Sequence, residues 1–285
     1  MEITAMQVKE LREKTGAGIL DAKNALVENK GDMAKAMEYL RQKGIASADK
    51  KMGRIAAEGI ISSCLCPGIG AMVEVNCETD FVAKNEDFIN SVDSIVKVIC
   101  KNNPADLGAL NAMKVENGET VETFVKDKIA KIGEKITVRR FVRYEGTVAT
   151  YIHNKKIGVL LKYEGSDEVI AKDVCLHIAS NAPEFISRED VPKSFIDEET
   201  RIEIGKEDLA KKPDNIKEKI VEGRVNKLIA SKSLLEQPFV KNPDITVKQL
   251  IEGKIQIKAF TRYALGEGLE KRQDNFAQEV MNQLG

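Results

Sequence analysis

The sequence predicts an α+β protein with several parts, and three observations lead to that prediction. Its 285 residues exceed the roughly 150 that one domain typically needs. Residues 1–54 carry apolar side chains mainly at helical spacing. Farther along, pairs of short apolar runs joined by turn residues are each followed by a helical pattern and a last strand. A hairpin, a helix and a returning strand make a small antiparallel sheet with a helix packed on it.

Three short helices are predicted at the start of the chain. Their apolar positions are Val8 and Leu11, then Ile19, Ala22 and Leu26, then Met33, Ala36, Met37 and Leu40. Gly31 follows the second helix, and Gly44 is predicted to end the third. Because helices this short are stable only when they share a core, we expect a compact bundle, tethered by residues 45–57.

The core is predicted to be duplicated because blocks of sequence recur in one order. The first copy contains Glu58-Gly59-Ile60, Ile69-Gly70-Ala71-Met72-Val73, Ala83-Lys84 and Ile136-Thr137-Val138, and the second contains Glu145-Gly146-Thr147, Ile157-Gly158-Val159-Leu160-Leu161, Ala171-Lys172 and Ile255-Gln256-Ile257. Turn residues join the first two strands of each copy, at Pro67-Gly68 and at Asn154-Lys155-Lys156. Two similar units are the simplest account of this order.

Helices are also predicted within and after the core. Asn85 can cap a helix whose apolar face carries Ile89, Val92, Ile95, Val96 and Ile99. The charged residues 187–236 predict a helical hairpin arm, with one seam at Phe195, Ile202 and Leu209, a break at Pro213, and a second face at Ile216, Ile220, Val225, Leu228 and Ile229. Phe276, Val280 and Leu284 predict a final helix.

Composition limits the classes of partner and location. The 44 basic side chains nearly cancel the 45 acidic ones, so no overall positive field favours nucleic acid, and no direct nucleic-acid contact is expected. The longest uncharged stretch, residues 59–73, contains Gly, Pro and Ser and is too short to span a bilayer. The chain begins without a basic and apolar leader, and its five cysteines are scattered. We therefore expect a cytoplasmic protein with reduced thiols, no membrane contact, no metal and no cofactor.

No constellation of residues points to catalysis. The glycines at 16–18 and 68–70 lack the pattern of a nucleotide-binding loop, and no phosphate loop occurs. Cys175 and His177 point in different directions on a helix, so they cannot form a nucleophile pair. His177 is predicted to be packed or to cap the helix, and His153 is predicted to be exposed. The sequence therefore predicts a protein that is not an enzyme. Two alternatives stay open: an adaptor whose bundle recruits ubiquitin-like proteins, and a thiol enzyme using Cys77 or Cys175.

The most unusual local sequence is the stretch from Asn76 to Asn85, between a strand and a helix. It places Phe81 beside Asp80 where a turn would ordinarily be polar. Taken alone, Phe81 can be a core side chain or a side chain that wedges into a partner, and the residue type favours the core.

Several long motifs occur in one order along the chain: Val8-Lys9-Glu10-Leu11-Arg12, Thr15-Gly16-Ala17-Gly18 with Asp21, Thr79-Asp80-Phe81-Val82-Ala83-Lys84-Asn85, Lys131-Ile132-Gly133-Glu134, His177-Ile178-Ala179 and Gln237-Pro238-Phe239-Val240. They resemble the motifs of the elongation factor Ts family, which exchanges guanine nucleotide on elongation factor Tu. The resemblance implies a ubiquitin-associated-like bundle at 1–54, core subdomains at 55–144 and at 145–186 with 237–264, an arm at 187–236 and a C-terminal module at 265–285.

The resemblance also implies which residues act. The segment Thr79, Asp80, Phe81 and Val82 would contact elongation factor Tu with GDP bound and displace its Mg²⁺, so that GDP leaves, GTP can bind, and incoming nucleotide ejects the factor. Further partner contacts are implied at Lys23, Ala83, Lys84, Ile132, Gly133, His153 and Val240. Lys241 differs from the apolar residue of some members, so its contact is in doubt. A dimer of heterodimers is compatible with the resemblance.

Overall fold

The structure, a computed structural model, describes residues 3–209 and 212–270. It confirms the α+β prediction. The described residues divide into two compact units: the first contains those up to Cys64, Ala71–Arg143 and Ala264–Glu270, and the second contains Leu65–Gly70 and those between Tyr144 and Tyr263. The predicted final helix at Phe276, Val280 and Leu284 lies outside the described residues.

Helices and strands occur in the following order. The helices are α1 (Ala5–Thr15), α2 (Ile19–Glu28), α3 (Met33–Lys51), α4 (Asp80–Ala83), α5 (Glu86–Asn102), α6 (Leu107–Ala112), α7 (Val121–Ile132), α8 (Glu168–Asn181), α9 (Lys193–Ile204), α10 (Asp214–Lys232) and α11 (Val247–Ile251). The strands are β1 (Glu58–Cys66), β2 (Ile69–Cys77), β3 (Ile136–Glu145), β4 (Val148–His153), β5 (Ile157–Gly165), β6 (Pro238–Phe239), β7 (Asn242–Thr246) and β8 (Ile255–Ala264). Among the described residues, no helix combines the length and apolar content needed to cross a membrane.

The first three helices share a small core, as predicted. Its fully buried members are Leu11, Ala22, Ala25, Leu26 and Ala36. Two details of the prediction are wrong. Ile19 is 62% exposed, because α2 turns its small side chains inward, where they allow close packing. Helix α3 continues through Gly44 to Lys51, and a Cβ at Gly44 would lie 2.8 Å from Cβ of Ala130 on α7. The glycine therefore permits a close helix contact instead of ending the helix.

Strands β1, β2 and β3 form the first sheet in that order. Helix α5 begins as predicted, because the Asn85 side chain accepts hydrogen bonds from the backbone N–H groups of Asp87 and Phe88. Its buried face carries Phe88, Val92, Ile95, Val96 and Ile99. The link from α5 back to β3 contains α6 and α7, and α7 leads into the turn beside the candidate site.

Strands β4, β5 and β8 form the second sheet. As in the first sheet, neighbouring strands follow one another in chain order. Strands β4 and β5 are antiparallel, with His153 opposite Ile157. Three residues join the strands, and the Lys156 N–H donates to the His153 carbonyl at 2.9 Å. Asn154 and Lys155, the central residues of this turn, both have positive φ, as a type I′ turn requires. Helix α8 packs on this sheet through Ala171, Val174, Cys175 and Ile178. The common strand order agrees with the recurring sequence blocks, while duplication itself stays a prediction.

The arm has its own apolar cluster. Val191, Leu209, Val221, Val225 and Ile229 are buried there, and Phe185, Phe195, Ile196 and Ile220 pack against them. The predicted seam through Ile202 is wrong, since Ile202 is 48% exposed. Helix α9 ends at Ile204, and Leu209 lies in a separate 3₁₀ turn, Glu207–Leu209. A seven-residue spacing therefore does not keep these side chains on one face.

A buried carboxylate in the first unit, that of Glu74, binds side chains of β3 and the backbone that follows β8. Glu74 on β2 has no exposed surface, and its oxygens accept from Nη1 of Arg139 at 2.9 Å, Nε of Arg140 at 2.6 Å and the Gly266 N–H at 2.9 Å. Burial raises the pKa of Glu74, but these three donors together lower it below its usual value. The charged network therefore ties the chain after β8 to strands β2 and β3.

Glu74→Gln should lower the free energy of unfolding at pH 7 by about 2–3 kcal/mol. This is less than the roughly 3–5 kcal/mol lost when a fully buried pair is broken, because the side chains of Arg139 and Arg140 are 22% and 28% exposed. Since the pKa of Glu74 is lower in the folded state, the stabilisation is present above the unfolded pKa, about 4.3, and is lost as pH falls through the folded value.

Urea unfolding of both proteins between pH 7 and pH 3 measures this difference. Glu116→Gln is the matched control, because Glu116 is an exposed glutamate paired with Lys101 at 3.8 Å. A difference between wild type and Glu74→Gln that stays constant across this pH range would contradict the charged role of Glu74.

Candidate functional site

The Phe81 loop, residues 78–85, connects strand β2 to helix α5 and contains the one-turn helix α4. Thr79 caps α4, since its hydroxyl oxygen accepts from the Val82 N–H. The Thr79 hydroxyl also donates to Oε1 of Glu134 at 2.7 Å, and the Thr79 N–H donates to Oε2 at 3.0 Å. Both oxygens of one carboxylate therefore hold the first residue of this turn.

A second carboxylate also joins the Phe81 loop to the turn at residues 133–135, but here the loop supplies the acceptor and the turn supplies the donor. Glu78 accepts the Lys135 N–H at 2.7 Å and pairs with Arg54 at 3.2 Å. Lys135 in turn donates through Nζ to the Arg54 carbonyl at 2.8 Å. The turn at residues 133–135 joins α7 to β3. Two consecutive residues of the Phe81 loop, Glu78 and Thr79, are thus hydrogen-bonded to two consecutive residues of that turn, Lys135 and Glu134.

The far side of the loop is also tied to α7. Asp87, in the first turn of α5, pairs with Lys128 at 2.7 Å and with Lys131 at 3.1 Å. The hydrogen bond from Lys128 is the main cause of a lowered pKa at Asp87. Attachments to α7 and its following turn therefore bracket Phe81 on both sides.

Phe81 itself lies on the surface and is 81% exposed. The reading of this residue as a core side chain is therefore wrong. A single exposed apolar residue is common on proteins, but here it stands on a turn whose backbone is held in place by the contacts above. The phenyl ring is therefore presented to solvent on a turn that is hydrogen-bonded to neighbouring elements.

Asp80 and Lys84 form a surface pair on the same turn. The Nζ–Oδ2 distance is 2.6 Å, and their side chains are 47% and 75% exposed. An exposed pair at this spacing contributes only about 0.3–0.5 kcal/mol, so it holds neither charge strongly. Val82 and Ala83 are half-buried and face inward from the same turn.

Lys23 lies on an exposed apolar face of α2. Ile19, Leu20 and Val27 are 62%, 70% and 56% exposed, and Ile19, Lys23 and Val27 are spaced one turn apart. The helical spacing of Ile19 had placed it in the core, so this face was not predicted. The signal available was that α2 carries more apolar side chains than one inward face can bury.

Ile132 and Gly133 come directly before Glu134. Ile132 is the last residue of α7 and is half-buried, and Gly133 has φ +89° and donates its N–H to the Ile129 carbonyl at 2.9 Å. This left-handed conformation suits glycine and ends the helix. Among the predicted contacts, Ile132 and Gly133 are therefore held beside the Phe81 loop through Glu134.

His153 and Val240 belong to the second unit. His153 is exposed, as predicted, and its Nδ1 lies 3.1 Å from the Tyr151 hydroxyl. Val240 is 38% exposed, and its backbone N–H donates to Nδ1 of His177 at 3.1 Å. Each is accessible at the surface of its unit.

Helix α8 fixes the segment that contains Val240. His177 is fully buried, as predicted, and because Nδ1 accepts from Val240, Nε2 carries the proton that it donates to Oε1 of Gln237 at 2.8 Å. Burial lowers the pKa of His177, which favours this neutral form. Lys241, whose role the sequence left in doubt, pairs with Asp173 on the same helix at 2.6 Å.

The chemistry of the thiols argues against a cysteine nucleophile. Cys77 and Cys175 are buried, and burial raises the pKa of each to about 12. A thiolate is the reactive form, so neither residue supplies one near neutral pH. Cys77 instead donates its S–H to the Thr79 carbonyl at 3.1 Å and supports the Phe81 loop from below.

Comparison with known proteins places the chain in one family. The family model for elongation factor Ts matches residues 78–267. Among curated proteins, elongation factor Ts of Alkalilimnicola ehrlichii is 47% identical over 289 residues, covering 99% of each chain. Elongation factor Ts of Chromobacterium violaceum is 48% identical over 282 residues, covering 98% of this chain and 97% of the relative. The chain therefore belongs to the elongation factor Ts family.

Proposed function

We propose that this chain is a guanine-nucleotide exchange factor that binds elongation factor Tu with GDP and promotes GDP release during translation elongation. The observation that carries the proposal is the 81% exposure of Phe81 on a loop held by Glu134 and Glu78. Family membership supports the partner. The protein acts in the cytoplasm by binding and carries out no chemical step of its own.

The mechanism begins at the Mg²⁺ of the partner. Phe81 inserts between helices of elongation factor Tu and displaces groups that support the ion, with Asp80 acting in the same direction beside it. Losing a dication from between phosphate oxygens removes charge compensation from GDP. GDP then binds more weakly and leaves faster.

Phe81 alone supplies only part of the effect. Burying one Phe contributes about 1.5–3 kcal/mol, and about 1.4 kcal/mol corresponds to tenfold in affinity, so this residue accounts for one to two decades. Further contacts at Lys23, Ile132, Gly133, His153 and Val240 contribute the remainder. The exposed apolar face of α2 around Lys23 supports the first of these.

Thermodynamic linkage makes the complex transient. If the factor weakens GDP binding, GDP weakens binding of the factor by the same ratio. Incoming nucleotide therefore ejects the factor, which leaves it free to act on another molecule of elongation factor Tu. One factor can in this way serve many partner molecules.

Phe81→Ala should slow release of labelled GDP from elongation factor Tu by roughly ten- to hundredfold while leaving the fold unchanged, because it removes the inserted phenyl ring. Stopped-flow fluorescence measures the rate with and without each protein. Val169→Ala is the control, since Val169 is an apolar residue 71% exposed that is not a predicted contact. Unchanged release with Phe81→Ala would remove Phe81 from the mechanism.

Lys23→Ala should raise the concentration of factor needed for half-maximal exchange by up to about fivefold, since an exposed charge pair contributes about 0.2–1 kcal/mol. The maximal rate should change little, and the difference should shrink at high salt. Lys35→Ala provides the comparison, because Lys35 is an exposed lysine of α3. An equal response of both variants at low salt would argue against a contact at Lys23.

A further inference from the structure

We propose that Glu134 is a positioning residue, which holds Phe81 in the outward orientation that nucleotide exchange requires. This inference rests on the proposed function. Glu134 acts on Phe81 through Thr79, two residues earlier in the loop. Its carboxylate accepts both the Thr79 hydroxyl, at 2.7 Å, and the Thr79 N–H, at 3.0 Å.

Helix α4 cannot set the direction of Phe81 by itself. It has four residues, and a single helical turn is not stable in isolation. Its start is defined by the Thr79 cap, because the hydroxyl oxygen accepts from the Val82 N–H at 3.4 Å. Phe81 lies between Thr79 and Val82 in the sequence, so the direction of its phenyl ring depends on where the Thr79 side chain points.

Glu134 determines the orientation of that hydroxyl. When the Thr79 hydroxyl donates its proton to the carboxylate, its lone pairs face the Val82 N–H. A chain of hydrogen bonds thus runs from Val82 through Thr79 to Glu134, and Phe81 lies between Thr79 and Val82 in the sequence. Removing the carboxylate leaves the hydroxyl free to rotate and the Thr79 N–H without its acceptor.

Glu134 is itself held in a defined place. Gly133 ends α7 in a left-handed conformation, and the next residue, Lys135, donates its N–H to Glu78. The predicted contacts Ile132 and Gly133 therefore keep a fixed spacing from Phe81. One carboxylate couples two parts of the proposed partner surface.

A double-mutant cycle tests this role with labelled GDP release from elongation factor Tu. Glu134→Ala should slow release by roughly tenfold, within the range set by Phe81→Ala. In the Phe81→Ala background it should have almost no further effect, because its action passes through Phe81. A glutamate that contacts the partner directly would give effects that multiply.

Glu134→Gln should fall between wild type and Glu134→Ala, since its amide retains one acceptor oxygen. Glu122→Ala is the matched control, because Glu122 lies on α7 but pairs with Lys126 at the surface, at 3.1 Å. Glu122→Ala should leave release unchanged. If substitution simply destabilised helix α7, GDP release would be slower with both Glu134→Ala and Glu122→Ala.

A second measurement needs no partner. The sequence contains no tryptophan, so Phe81→Trp introduces a unique fluorophore at the loop. Adding Glu134→Ala to this variant should increase the rapid component of its anisotropy decay, while adding Glu122→Ala should not. An identical decay with and without Glu134→Ala would overturn the positioning role.

The outcomes separate the two proposals. If Phe81→Ala slows GDP release but Glu134→Ala does not, or if their effects multiply, the role of Glu134 is wrong and the proposed function stands. If Phe81→Ala leaves release unchanged, insertion of Phe81 is wrong, and the inference about Glu134 falls with it.

Discussion

The site depends on two carboxylates that join the Phe81 loop to the turn after α7. Glu134 accepts two hydrogen bonds from Thr79, and Glu78 accepts the N–H of Lys135. An exposed phenyl ring would ordinarily gain about 1.5–3 kcal/mol by moving into an apolar environment. Because the backbone on both sides of Phe81 is fixed, that gain becomes available only when another molecule covers the ring. Exposure and restraint together make the loop suited to binding.

The fold could be predicted wherever the signal was local. The Asn85 cap that starts α5 and the hairpin turn at Asn154 each depend on residues a few positions apart, and the structure contains both. The errors at Gly44 and Ile202 have a different origin. Whether a glycine ends a helix or admits a neighbouring helix depends on what packs against it, and here Ala130 does. Spacing along the chain carries no information about that neighbour.

The motif predicted which residues form the candidate site. The hydrogen bonds that hold those residues in place were not predicted. Residue type favoured a buried Phe81, and only the resemblance favoured an exposed one. The hydrogen bonds to Glu134 join residues far apart in sequence, as does the bond between Val240 and His177. No local pattern records such pairs, although the motif containing Glu134 was visible. Lys241 shows the same limit, since its partner Asp173 could be found only in three dimensions.

In the proposed function, Phe81 acts on the Mg²⁺ of the partner and not on GDP directly. GDP release from elongation factor Tu, measured with wild type and with Phe81→Ala across Mg²⁺ concentrations from millimolar to excess chelator, tests it most directly. The ratio of the two rates should be large when Mg²⁺ is abundant and approach one when the ion is chelated, because nothing then remains to be displaced. A ratio that does not depend on Mg²⁺ would contradict this account.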